Sequence, residues 1–405
     1  MGSTLYPVTS EPARAIVVSA VIPCLNEERT LGVCIAKAKR AIAELGVPGE
    51  IVVADNGSSD RSVEIAQQLG ARVVHEANRG YGAVLRKGIS ESLGEIIVMA
   101  DADDSYDWEA IGPLVRKIAA GYDLVVGNRF TGTIMRGAMP RLHRYFGNPV
   151  LSFIARVAFR SQVGDFHCGM RAFTKRAFIE MQLQSSGMEF ATEMVASAAH
   201  QGLRIGEVPV TLHPDKRGRP PHLRSFRDGW RHLRFILTYA PDYLYLAPGI
   251  GMLSAGAMLE AALIRGPITV LGLYIGIHFL ALGSLLALAG FNLLNLGVLA
   301  KALMSQRYAG LKSRTIRIVQ QRFSLEAGLL IGAVLISVGA SIDLMLIEKW
   351  ITRYGSPMAG SVHLSFVATT VFVLGLNLIF SSFLLNMILA EGRPAQPSDG
   401  ADSAR

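Results

Sequence analysis

From Tyr243 onward the chain carries four long apolar stretches, Tyr243 to Ile264, Ile268 to Gly290, Leu325 to Ile347 and Leu364 to Leu389. Each is near or above the roughly 20 residues needed to cross a bilayer core, and a soluble fold would struggle to bury them. Arg265-Gly266-Pro267 alone joins the first two, which fits a tight helical hairpin. Up to about Gly218 charges occur throughout, as in a soluble protein, and the boundary falls in the basic stretch Lys216 to Arg234. With 405 residues, half of them hydrophobic, there is room for a full globular domain beside the spans. The expected organisation is a tail over 1–15, a soluble domain over 16–224, a juxtamembrane amphipathic helix over 225–242, a hairpin of spans over 243–290, a basic interfacial loop over 291–324, a second hairpin over 325–390 and a disordered tail over 391–405.

In the loop between the second and third spans, Lys301, Arg307, Lys312, Arg314, Arg317 and Arg322 stand without an acid, which predicts a cytoplasmic location. An even number of crossings then puts the soluble domain and the last tail on that same side. Met1 to Ser10 has no basic n-region and Ala15 to Val21 is short for an h-region, so no secretory signal is expected. The expected setting is a multi-pass protein of a bacterial inner membrane. Cys24, Cys34 and Cys168 lack metal-ligand spacing and are too few for a disulfide framework. The net charge of +8 fits nucleic acid or anionic lipid as partner, and the four spans favour the bilayer surface. Asp343 lies within the third span, near its end and close to Glu348 and Lys349, which reads as snorkelling towards headgroups.

Within the soluble part, Ile16 to Ile22, Glu50 to Ala54, Ala71 to His75, Glu95 to Ala100 and Asp123 to Val126 read as strands separated by helical patterns. That alternation predicts an α/β domain with a mainly parallel sheet, in which ligands collect beyond the carboxyl ends of the strands. Polar clusters follow four of these strands: Pro23 to Glu28, Asp55 to Asp60, Asp101 to Asp104 and Gly127 to Arg129. Asp101-Ala102-Asp103-Asp104 is the most telling, because Mg²⁺ takes hard oxygen ligands from one or two carboxylates together with substrate phosphates. Asp104 reads as support for the turn. Asn78 to Ala83, with two glycines and a basic residue at a helix start, would let backbone amides approach an anion.

These motifs, in this order, resemble the family 2 glycosyltransferases of GT-A fold, and within them the polyprenyl-phosphate sugar synthases related to dolichol-phosphate mannose synthase. The resemblance covers about Ile16 to Leu237 and the general plan of a membrane-anchored enzyme. It implies that Pro23, Leu25, Glu27, Asp55 and Ala102 line the nucleotide-sugar site. It also implies that Asp103 is the principal ligand of Mg²⁺ or Mn²⁺, with Asp101 its nucleotide-side partner. Asp165 to Arg171 resembles the acceptor-side segment, in which Asp165, Gly169 and Arg171 would stand, with Glu189 from Gly187 to Glu193 beside them. Lys216 to Ser225 resembles the basic loop ahead of the membrane, although an arginine-serine pair stands where many relatives have serine-lysine.

The implied reaction is inverting transfer of a hexose from a UDP-sugar or GDP-mannose to the phosphate of undecaprenyl or dolichyl phosphate. The acceptor phosphate is largely ionised, with a second pKa of about 6, and needs little base assistance. Stabilising the departing diphosphate is the harder task, assigned to metal on Asp103, with Asp101 nearby and Arg129 assisting. Arg219 and Arg224 would hold the acceptor phosphate; Arg217 competes with Arg219 for the leading role, and Arg144 or Arg141 would add to the grip. Two other readings stand beside this one. A hydroxyl acceptor would require a general base, Glu189 or Glu193, and a non-catalytic scaffold would bind sugar nucleotide or lipid without turnover. Donor base and sugar stay open, as does a homo-oligomer. Phe226, Trp230, Leu233 and Leu237 form one helical stripe, read as an interfacial helix, and Leu311 to Phe323 reads as a second.

Overall fold

The structure is a computed structural model and describes residues 17–218, 225–240, 242–307, 324–352 and 361–391. Two compact units follow one another, Met1–Thr238 and Tyr239–Arg405.

The first unit is built on β1 (Val18–Cys24), β2 (Gly49–Asp55), β3 (Arg72–His75), β4 (Ile96–Met99), β5 (Leu124–Ile134), β6 (Arg171–Thr174) and β7 (Ile205–Leu212). Between and around them lie α1 (Leu31–Glu44), α2 (Ser62–Gln68), α3 (Tyr81–Glu91), α4 (Gly112–Ala119), α5 (Asn148–Phe159), α6 (Lys175–Met181), α7 (Phe190–Gln201) and α8 (Ser225–Tyr239). β1 is buried along its whole length, as befits a strand covered on both faces, and pairs in parallel with β2 and β4. Pro23 lies past the last β1–β4 pair, Val21 with Met99, where its missing N–H interrupts no bond to β4. Leu31, Cys34, Ile35, Ala38, Ala41 and Ile42 form the buried stripe of α1.

The strand order is β3-β2-β1-β4-β6-β5-β7, with β6 antiparallel to both neighbours and every other pairing parallel. Two features differ from expectation. β6 and β7 were not foreseen, and Gly127-Asn128-Arg129 does not end a strand. β5 runs on to Ile134 through an irregularity between Asn128 and Thr133, where Asn128 Oδ1 accepts the amides of Phe130 (2.9 Å) and Thr131 (3.0 Å). The side chain thus satisfies amides that the interrupted ladder leaves over.

In α8 the buried residues include Phe235 and Ile236, whereas Trp230 is exposed. His232 of this helix bonds Thr192 Oγ1 through Nδ1 at 2.9 Å and lies edge-on to the His167 ring, centroids 4.6 Å apart. One face of the helix therefore packs on the soluble unit, away from the expected apolar stripe.

The second unit holds α9 (Ala247–Leu263), α10 (Ile277–Arg307), α11 (Leu325–Thr352) and α12 (Ser361–Glu391). Among the described residues, four stretches are long and apolar enough to cross a membrane: Asp242–Leu263, Ile277–Met304, Leu325–Thr352 and Ser361–Ala390. The second begins later and ends later than its sequence reading. Ile268–Val270 (β8) and Leu273–Ile275 (β9) form a hairpin, because Leu271 and Gly272 both take positive φ, 51° and 80°, as a tight two-residue turn between β-branched strands requires. The helix then continues through much of the expected basic loop. Lys301 falls inside it and pairs with Asp242; the proposed helix Leu311 to Phe323 lies outside the described residues. Glycines set the helix spacing: a Cβ on Gly256 would lie 2.5 Å from the Gly283 carbonyl oxygen, and one on Gly332 2.8 Å from that of Gly375.

Candidate active site

The sheet order brings the ends of β1, β2 and β4 to one edge, and the antiparallel pair Met99 with Arg171 lays the 165–170 segment against the turn after β4. In that turn Asp101 accepts a hydrogen bond from Tyr81 Oη at Oδ1 (2.9 Å), and its carbonyl accepts from the Trp108 indole (3.2 Å). Asp103 Oδ1 accepts the Ser105 amide (3.0 Å), and Arg217 Nη2 donates to its Oδ2 (2.5 Å). Asp104, at φ 59°, is held by Lys37 at Oδ1 and Lys216 at Oδ2, both 2.7 Å. Burial would raise the Asp104 carboxyl, but the bonds from Lys216 and Lys37 outweigh it and hold the group below its ordinary value. Asp104 therefore braces the turn.

Asp101 behaves differently. Burial first, and then the charge of Asp103, push its carboxyl up to about 6. Two carboxylates forced together at a strand end create a demand for positive charge, and Arg217 supplies it in this structure by lying between Asp103 and Glu27, whose Oε1 is 3.3 Å from its Nε. A divalent cation fits the same demand with the hard oxygen ligands it prefers. Among the described residues no group of three or more His, Cys, Asp or Glu could hold a metal. Two carboxylates completed by substrate phosphates match the usual magnesium arrangement.

The donor-side loops are held by their own polar groups. Asp55 Oδ2 accepts from Gly57 N (3.1 Å) and Ser58 N (3.3 Å) and lies 3.2 Å from His75 Nδ1, while Asn26 Oδ1 accepts the Ser59 amide (2.7 Å). Leu25 is exposed, Pro23 and Glu27 are buried, and the Ala102 carbonyl accepts the Cys34 thiol. The glycine turn before α3 has a different use from the one expected. The Gly82 amide donates to the Ser186 carbonyl (2.9 Å), as does that of Ala83 (3.3 Å), so these helix-start donors are already bonded to protein. Gly80 and Gly82 are required by closeness, since Cβ atoms there would lie 2.1 and 2.3 Å from the carbonyl oxygens of Ser186 and Ser185.

On the other side several expected ligands turn out to be framework. Arg129 forks onto Asp165 through Nε (2.7 Å) and Nη2 (2.8 Å), both residues buried, so in this structure each is the other's ion-pair partner. Arg171 is wholly buried and gives its guanidinium to the carbonyls of Cys168 (2.9 Å), Ala191 (2.5 Å) and Phe166 (2.7 Å). It shapes the segment from inside. Glu193 accepts the amides of Gln184 (2.9 Å) and Ser185 (2.8 Å), which fixes the loop that meets Gly80 and Gly82. Glu189 Oε2 is buried without a hydrogen-bond partner. Gly169 backs directly onto Asp101, and its amide donates to Tyr106 Oη (2.9 Å). Burial pushes the Cys168 thiol up to about 12, which excludes a thiolate at neutral pH.

Arg217 belongs with the acids of the donor side, whereas Arg144, half-buried beside Tyr145, is not among the residues gathered there. Arg219 and Arg224 lie outside the described residues. Tyr81 and Tyr106, which fix Asp101 and Gly169, were not singled out as site residues, because an aromatic hydroxyl has no sequence signature apart from its partner.

The mainly parallel sheet with acids at the end of β4 defines a GT-A domain, and comparison with known proteins agrees. Residues 19–181 match the model for glycosyl transferase family 2, and residues 298–389 match that for the glycosyltransferase family 2 C-terminal transmembrane region. The low-salt glycan biosynthesis hexosyltransferase Agl6 of Haloferax volcanii is 39% identical over 371 residues, spanning 91% of this chain and 88% of that protein. A dolichyl-phosphate hexose transferase of the same organism is 32% identical over 195 residues, 47% of this chain and 81% of its own. Among solved structures, glucosyl-3-phosphoglycerate synthase from Mycobacterium tuberculosis with Mg²⁺ and UDP overlaps 56% of this chain and 79% of its own, at 22% identity and a TM-score of 0.44. The chain belongs to glycosyltransferase family 2. It is a membrane protein and a transferase.

Proposed function

We propose that the protein moves a hexose, with inversion, from a nucleotide diphosphate sugar to the phosphate of a polyprenyl phosphate at the cytoplasmic leaflet. The observation that carries this reading is the meeting of Asp103 and Asp104 with Arg217 and Lys216, which brings the basic segment onto the acid turn. A divalent cation held by Asp103 and Asp101 would supply Lewis-acid stabilisation of the leaving diphosphate. Tyr81 keeps one Asp101 oxygen oriented, and Gly169 leaves the space its other oxygen occupies. Arg219 and Arg224, a few residues beyond Arg217, are assigned to the acceptor phosphate, where a guanidinium fork suits a phosphoryl group. An ionised phosphate needs no base, in keeping with the commitment of Glu193 to backbone amides. Printed names among the relatives, hexosyltransferase and dolichyl-phosphate hexose transferase, support the same reaction class. The unpartnered Glu189 Oε2 supports a second reading, in which this carboxylate deprotonates a hydroxyl acceptor.

Asp103→Asn tests the metal assignment. Transfer should fall on the order of 10²–10³-fold, the scale of losing one preorganised electrostatic contact, while membrane insertion is unchanged. Full activity in that variant, or in excess chelator, contradicts the role.

A further inference from the structure

The helix α5 and the turn before it show an unusual division of faces. Ser152, Ala155 and Phe159 are buried, with the Phe159 ring 6.4 Å from Phe166 and 5.8 Å from His200, so this face belongs to the domain core. The outward face is apolar as well. Phe146, Val150, Phe153 and Val157, spaced four, three and four residues apart, form one exposed stripe, with Phe146 and Phe153 63% and 57% exposed. Leu142 and Tyr145 extend it into the turn. Scattered exposed apolar residues need no explanation, but six in one contiguous element do.

The charges around this stripe have a single sign. Between Asp123 and Asp165 the sequence has no acid, whereas Arg136, Arg141, Arg144, Arg156 and Arg160 fall in or beside the element. Arg144 lies over the Tyr145 ring at 5.5 Å and Arg156 over the Phe153 ring at 5.8 Å, so guanidinium groups and aromatic faces share one level. An apolar stripe edged by arginines that reach sideways is the pattern of a helix lying in a membrane interface. Four helices able to cross a bilayer are part of the same chain, so this surface is always tethered to one.

We infer that the outward face of α5, with the turn over 142–147, docks on the anionic surface of a lipid bilayer, its apolar stripe among the acyl chains and its arginines at the headgroup phosphates. This contact goes beyond the proposed reaction and does not depend on its donor or acceptor.

Full-length protein in lipid nanodiscs tests it. Cys24, Cys34 and Cys168 are buried, which leaves an introduced cysteine as the accessible thiol. An environment-sensitive dye on Phe153→Cys should be quenched by spin-labelled lipid in discs containing phosphatidylglycerol, and less so in neutral discs or at high salt. The same dye on Ile179→Cys, at an exposed position of α6, should not be quenched. Wild-type hydrogen exchange needs no substitution: amides over 142–157 should be protected in anionic discs and released in neutral ones. Equal exchange in both lipids, an unquenched dye at position 153, or quenching replaced by energy transfer between two labelled copies would each overturn the inference, the last pointing to a second copy of the chain.

Discussion

A methyl group on Gly169 would lie 2.8 Å from Asp101 Oδ2 and 3.2 Å from the Tyr106 ring, closer than the packing can give. Gly169→Ala should therefore displace Asp101, costing about 1–3 kcal/mol of stability and weakening donor binding with metal more than donor binding without it. Thermal unfolding and titration calorimetry on one preparation would separate the two effects. The protonation of Asp101 gives a second test. Burial and the Asp103 charge raise its carboxyl to about 6 in the folded protein. A raised carboxyl favours the proton-bound form, so its stability contribution is complete below the unfolded value near about 4 and declines as pH rises towards about 6. A cation needs the ionised form, and metal-supported binding of a nucleoside diphosphate should weaken below about pH 6, by up to roughly tenfold per unit. Equal calorimetric affinities at about pH 5 and about pH 7.5 would contradict the placement of Asp101 at the metal. The acids themselves were legible in the sequence because an uninterrupted apolar run ends at Ala100. The pairing of Arg129 with Asp165 and the bonds of Arg171 to backbone carbonyls were not, since a guanidinium bonded inside the protein and a ligand-binding one are written with the same letter.

At the scale of elements, legibility followed local pattern. β1, β2 and β4 are short apolar runs bounded by turn residues, and their positions could be read directly. β6 is four residues beginning with an arginine, and β7 contains Gly206, Glu207 and Pro209; both exist because of partners distant in sequence. The membrane helices show the same limit. Glu260 sits inside the first span, a signal as plain as Asp343, yet its meaning lies in α10 and α12: Ser284 Oγ and Thr370 Oγ1 each donate to Glu260 Oε1 at 2.7 Å. One carboxylate joins three helices. Glu260→Ala should loosen the bundle by about 1–2 kcal/mol, seen as a lower aggregation temperature in detergent, while Glu260→Gln, which keeps an acceptor oxygen, should lose less. Equal losses would mean that the hydroxyl contacts contribute little.

For the whole molecule, the proposed reaction asks for a site that serves a water-soluble donor and a membrane-bound acceptor. The GT-A unit gathers acids at one sheet edge, and the basic segment that follows its last strand touches those acids through Lys216 and Arg217. The hydrophobic imbalance of the sequence revealed the division into units, because four apolar stretches have few other uses. It could not reveal how far Arg217 reaches back, since that contact spans 114 residues to Asp103 and 190 to Glu27, positions that only the fold brings together. The most direct measurement is to incubate the reconstituted full-length protein with Mg²⁺, a panel of UDP- and GDP-sugars, and either polyprenyl phosphate or diacylglycerol, and then treat the lipid products with mild acid. The account predicts one labelled product, formed on polyprenyl phosphate and releasing its sugar in acid. An acid-stable product formed on diacylglycerol, with none on polyprenyl phosphate, would contradict it.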